Sequence, residues 1–243
     1  MIKKGELYYP TEEFKKNAWV NDPKIYEEAG KDPVKFWEKL AKDLFWFKPW
    51  KKGFVHKPPY FQWFVGGKIN ITSNIFERSA IWRMGEKNRI ALIWEPEPVG
   101  EEPRVFTYAE LFKEVCKCAN YLKKLGVKKG DRVGIYSPMI PESVIAMLAC
   151  ARIGAVHSVV FSAFSPDALR VRLQDTEAKV LITADGYYRG GKFIDLLKNA
   201  KEGIRETKVK KLVVALRSGK MPWQGEKDFC KAAEMNSEDL QFI

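Results

Sequence analysis

Four consecutive residues, Arg189-Gly190-Gly191-Lys192, carry the clearest chemistry in this 243-residue sequence. Two cations bracket two glycines. Arginine presents a planar fork of N–H donors that matches phosphate, and lysine adds a compact point charge. Glycines let backbone amides approach an anion closely. The same residues also describe a plain glycine turn with two solvated cations, and spacing alone leaves both open. His157 sits within an apolar run, where a hydrogen-bonded core histidine is the expectation. Asp175 and Asp185 have no partner that the sequence names.

Three short apolar runs, at 133–136, 156–161 and 180–183, alternate with helical patterns at 141–153 and 166–176. Such alternation indicates βαβ units and a parallel sheet whose strands are buried on both faces. The fold class is therefore α/β, a parallel β-sheet with flanking helices. Ligands of such sheets collect beyond the carboxyl ends of the strands. Segments 137–140, 162–165 and 184–192 leave those ends, and the last contains the basic tetrad. A helix starting near Phe193 would aim free N–H groups the same way.

Upstream, Thr107-Tyr108-Ala109-Glu110 is a capping box opening a helix with Leu111, Val115, Ala119 and Leu122 on one side. Residues 90–94 and 104–106 read as strands flanking an exposed Glu95-Pro96-Glu97-Pro98 loop. Residues 70–84 read as one helix ending at Gly85. Trp63-Phe64-Val65-Gly66-Gly67-Lys68 lacks the spacing of a phosphate loop. Downstream, a helix should run towards Glu206, followed by a strand at 212–216. Leu240-Gln241-Phe242-Ile243 looks like the opening of another strand.

Residues 1–60 are aromatic and proline-punctuated, without strand alternation, and read as a helical extension packing on the body. Asp22-Pro23 and Asp32-Pro33 are strong helix starts. The cluster Phe45-Trp46-Phe47-Lys48-Pro49-Trp50 suits either a stacking platform for bases or an arm with its rings buried against a core. Residues 61–243 form the α/β domain.

The sequence carries 42 Lys and Arg against 31 Asp and Glu, a net charge of +11. A basic nucleic-acid-binding module is one alternative, but no recognised motif appears and the cations are interspersed with acids. No apolar run approaches the roughly 20 residues that cross a bilayer, and no secretory signal is visible. The four cysteines, 116, 118, 150 and 230, form neither a disulfide framework nor a metal-ligand pattern. They read as small buried hydrophobes in a protein of the reducing cytoplasm.

Longer motifs carry a resemblance. Gly154-Ala155-Val156-His157-Ser158-Val159-Val160-Phe161, then Phe164-Ser165-Pro166, closely resembles AMP-forming acetyl-CoA synthetase. So do Trp63-Phe64-Val65-Gly66-Gly67-Lys68-Ile69-Asn70, residues 131–141 and Thr183-Ala184-Asp185. The resemblance implies an acid–thiol ligase of the adenylate-forming superfamily, joining acetate to ATP and then to coenzyme A under Mg²⁺. Propionyl-CoA and other short-chain acyl-CoA synthetases share these motifs. It further implies that Arg189, Gly190, Gly191 and Lys192 grip the coenzyme A phosphates, and that Phe161 and Ala163 lie against its adenine end. Many relatives carry a second arginine at Lys192 and glycines at Ser162 and Ala163. For Phe161 the alternative is a core ring at the end of a strand.

The implied domain is incomplete, ending before the phosphate loop. The principal ATP and Mg²⁺ residues and the catalytic C-terminal domain lie outside the sequence, so no catalytic or metal residue is assigned. The expected partners are small-molecule substrates and the remaining C-terminal portion, in the same or a separate chain. Neither nucleic acid nor membrane is expected, and the isolated chain should be inactive.

Overall fold

A computed structural model describes residues 1–216 and the two-residue strand β14 (Met235–Asn236). Two compact units account for the described chain, one built from residues 1–44 and 48–67, the other from 45–47 and 68–216.

The first unit opens with a hairpin of β1 (Ile2–Lys4) and β2 (Leu7–Tyr9), then α1 (Glu12–Lys16). Helix α2 (Lys24–Lys31) begins one residue later than expected, after Pro23, whose side chain supplies no cap, whereas α3 (Pro33–Ala41) starts as its Asp-Pro pair dictates. Asp22 accepts from the Lys24 amide and Asp32 from the Lys35 amide, each at 3.0 Å. A second hairpin joins β3 (Lys52–Lys57) to β4 (Tyr60–Val65), with Phe54 paired across to Trp63. These four strands depart from the expectation of a helical extension. Most of their residues are exposed on both faces, so no in–out alternation marked them in the sequence. Trp19, Trp37, Tyr60 and Phe61 are likewise exposed rather than enclosed.

The second unit begins with β5 (Lys68–Ile69). The single helix expected at 70–84 is interrupted. A π-helical turn spans Ser73–Glu77 and a short α4 spans Ala80–Arg83. Asn70 is the physical reason at the start: its Oδ1 accepts from the Thr72 amide, while its Nδ2 reaches the Ala151 carbonyl. β6 (Ile90–Trp94) and β7 (Arg104–Thr107) then pair antiparallel. The capping box at Thr107 and Glu110 forms and starts α5 (Tyr108–Lys124).

Four parallel strands make the central sheet: β8 (Arg132–Ser137), β9 (Val156–Phe161), β10 (Val180–Ala184) and β13 (Lys211–Ala215). Their spatial order is β13-β10-β8-β9. α6 (Pro141–Ile153) links β8 to β9, and α7 (Pro166–Asp175) carries the chain back across β8 to β10. β10 runs into a hairpin of β11 (Gly186–Arg189) and β12 (Lys192–Asp195), then α8 (Leu196–Gly203) leads to β13.

Alternate residues of the buried strands feed two separate cores. Val133, Ile135, Val180 and Ile182 pack with α5 and α6, whereas Tyr136 and Leu181 pack with α7 and α8. The sheet is thus covered on both faces, as a parallel sheet requires. Its order reverses between β8 and β10, which makes the crevice beyond their carboxyl ends the place for a ligand. Among the described residues, no helix is long and apolar enough to cross a membrane.

Candidate functional site

The segment expected as a loop running into a helix at Phe193 is a two-residue hairpin instead. Gly190 and Gly191 have φ of 57° and 72°, so both turn positions are left-handed. Two successive residues of that kind make the turn that suits the twist of paired strands, and glycine adopts it without steric cost. The helix starts later, at Leu196, and its capping residue Asp195 accepts from the Lys198 amide at 2.9 Å. A carboxylate therefore serves that helix end, and the expected contribution of its N–H groups to an anion is corrected.

The hairpin still brings the two cations together. Arg189 and Lys192 are direct cross-strand partners, which places their side chains on one face of the ribbon. Like charges so placed oppose pairing, a cost that a bound anion relieves. Asp185 fixes the root of the hairpin: its Oδ1 accepts from the Gly186 amide at 2.8 Å, and its carbonyl accepts from the Leu196 and Leu197 amides. Gly186 has no room for a Cβ, which would lie 2.5 Å from the Ile194 carbonyl oxygen.

Beside the hairpin is a cavity of about 260 Å³. Ile140 contributes from beyond β8, Phe161 and Ser162 from the end of β9 and just beyond it, and Tyr187 and Arg189 from beyond β10. The cavity therefore occupies the switch-point crevice of the sheet. Phe161 is 58% exposed and meets Phe164 edge-on at 5.9 Å, so it is no core ring. Ala163 is exposed in the same loop but does not line the cavity. The Tyr136 hydroxyl, itself buried, donates to the Phe164 carbonyl at 2.7 Å and ties this loop to the sheet. His157 lies exposed on the edge strand, contrary to the expectation of a core histidine.

Other wall residues had no signature in the sequence. Trp94, Glu95 and Glu97 come from β6 and the loop after it. The Trp94 indole donates to the Met139 carbonyl at 2.8 Å. Arg104 on β7 lies near the Trp94 and Phe106 rings and donates to Glu142 on α6 at 2.8 Å. This pair fastens the β6–β7 hairpin to the start of α6. Glu97 accepts a hydrogen bond from the Gly190 amide at the hairpin tip. Among the described residues, no group of three or more metal-ligating side chains converges.

A parallel sheet covered by helices on both faces, with a crevice at its switch point, places the chain in the doubly wound α/β class. Residues 76–243 match the family model described as AMP-binding enzyme, and the chain belongs to that family. Residues 23–75 match a second model, described as acetyl-coenzyme A synthetase N-terminus.

Acetyl-coenzyme A synthetase of Rubrobacter xylanophilus is 49% identical over 250 residues, covering 97% of this chain and 38% of the relative. That of Gemmatimonas aurantiaca is 41% identical over 263 residues, covering all of this chain and 40% of the relative. Among solved structures, acetoacetyl-CoA synthetase from Streptomyces lividans superposes with a TM-score of 0.76 at 26% identity. It is matched over 86% of this chain and 34% of its own. The chain thus spans about two fifths of the length of the curated relatives it matches.

Proposed function

We propose that the chain supplies the front of an AMP-forming acetate–CoA ligase, which converts acetate, ATP and coenzyme A to acetyl-CoA, AMP and pyrophosphate. Its part in that reaction is to hold coenzyme A. Arg189 and Lys192 take the phosphates at the hairpin tip, and the glycines between them let the ligand approach the backbone. The Phe161 ring, with Ser162 and Ala163 beside it, supports the adenine end. ATP and Mg²⁺ would be held chiefly by the remainder of the enzyme, because relatives with this name are about two and a half times as long. Propionate and other short-chain acids are the competing substrates.

The observation that carries the assignment is the facing pair of cations on the hairpin, of which Arg189 lines the switch-point crevice. Calorimetric titration of the chain with coenzyme A tests it. Arg189→Ala should weaken binding about 10- to 100-fold, the loss expected when hydrogen bonds to a charged group are removed. Equal affinity of the variant and the parent chain would refute the assignment.

A further inference from the structure

Gly190 is an exposed residue at the hairpin tip, and its amide is taken up by a distant part of the chain. It donates to Oε1 of Glu97, 93 residues away along the chain. Among the described residues, the side chains of Arg189 and Lys192 have no ion-pair partner of their own. An exposed carboxylate therefore sits on a tip amide between the two cations. A carboxylate oxygen and a phosphate oxygen are acceptors of the same kind, so the Glu97 oxygen stands where a ligand phosphate oxygen would be received.

We propose that Glu97 is a built-in competitor for this phosphate site, and that it sets both the affinity and the charge selectivity of the site. The proposal rests on the assignment of the hairpin to coenzyme A phosphates. The Glu97 carboxylate accepts from the Gly190 amide and offsets part of the repulsion between Arg189 and Lys192. A ligand has to displace it. A singly charged anion gains little by exchanging with a carboxylate already in place. A ligand with several phosphate charges restores the lost bond and neutralises both cations, so it wins the exchange. Glu97 is free to give way because its loop, between β6 and β7, is exposed on the way in and out of the hairpin.

Glu95 supplies the internal comparison. It lines the same cavity with the same charge, but among the described residues it has no hydrogen bond to the hairpin. The parent chain, Glu97→Gln, Glu95→Gln and Arg189→Ala are titrated with coenzyme A by calorimetry at one fixed ionic strength. Exchanging the charged acceptor on the Gly190 amide for a neutral one weakens the bond a ligand has to displace, so Glu97→Gln should tighten binding by about 5- to 10-fold. Glu95→Gln should change it by less than about twofold, since that carboxylate is not seated on the donor. An unchanged or weaker affinity in Glu97→Gln, with Arg189→Ala still impaired, overturns the competitor while leaving the phosphate site intact. Equal gains in the two glutamine variants overturn it as well, because a general field would then be responsible. Unimpaired binding by Arg189→Ala sinks both assignments.

Discussion

Replacing Arg104 by Met, an apolar residue of similar length, should destabilise the second unit sharply. Glu142 is 2% exposed and accepts from Arg104 at 2.8 Å, whereas the Arg104 side chain keeps 25% of its exposure. Losing one partner strands a buried carboxylate, and such losses run at about 3–5 kcal/mol. Because a quarter of Arg104 reaches solvent, the lower value of about 3 kcal/mol is the expectation. With a urea slope of about 2 kcal/mol/M, the unfolding midpoint should fall by about 1.5 M. The double variant Arg104→Met, Glu142→Gln removes the stranded charge and should recover most of the shift. The assay is equilibrium urea unfolding followed by circular dichroism. A midpoint change below about 0.5 M in the single variant would place the pair among weak surface contacts and refute the reasoning. So would a double variant as unstable as the single one.

Gly186→Ala should lower the melting temperature by about 3–10 °C, because its Cβ would press on the Ile194 carbonyl oxygen and the Phe193 ring. A melt unchanged within 1–2 °C, roughly the limit of resolving a small ΔΔG, would contradict the packing. A pH prediction concerns Asp131. Burial alone would raise its carboxyl, but hydrogen bonds from Lys179 Nζ at 2.6 Å and the Lys128 amide at 2.9 Å outweigh that and lower it. The folded value lies below the unfolded value of about 3.9, so the stabilisation is complete above that pH and fades as pH falls through the folded value. Asp131→Asn should therefore flatten the decline in melting temperature below about pH 4, and a parallel decline in the two proteins would count against it.

The central sheet was legible because its signals are local and strong. Runs such as Val133 to Tyr136 are apolar throughout, and Pro141 and Pro166 mark the helix starts between them. The resemblance supplied the family, which no pattern of burial or spacing states. The hairpin at 186–195 escaped because two glycines read equally well as a loop, and the left-handed φ of both is a property of the backbone rather than of composition. The β1–β2 and β3–β4 hairpins escaped for want of a buried face. Glu97 and Trp94 reach the cavity through tertiary placement, from a proline-rich loop and a strand end, and nothing in their neighbours announces it. The buried three, Cys116, Cys118 and Cys150, behave as the small hydrophobes expected; Cys230 lies outside the described residues.

The crevice draws its walls from four stretches of chain spread between Trp94 and Arg189. None of them holds a recess by itself, since the hollow exists only after α7 has carried the polypeptide back over β8. Occupancy by a small molecule is consequently a gauge of completed topology, whereas helix content is not. Any ligand seated there couples to the cooperative melting of the whole sheet, because it recognises the assembled arrangement and finds no foothold in the unravelled one.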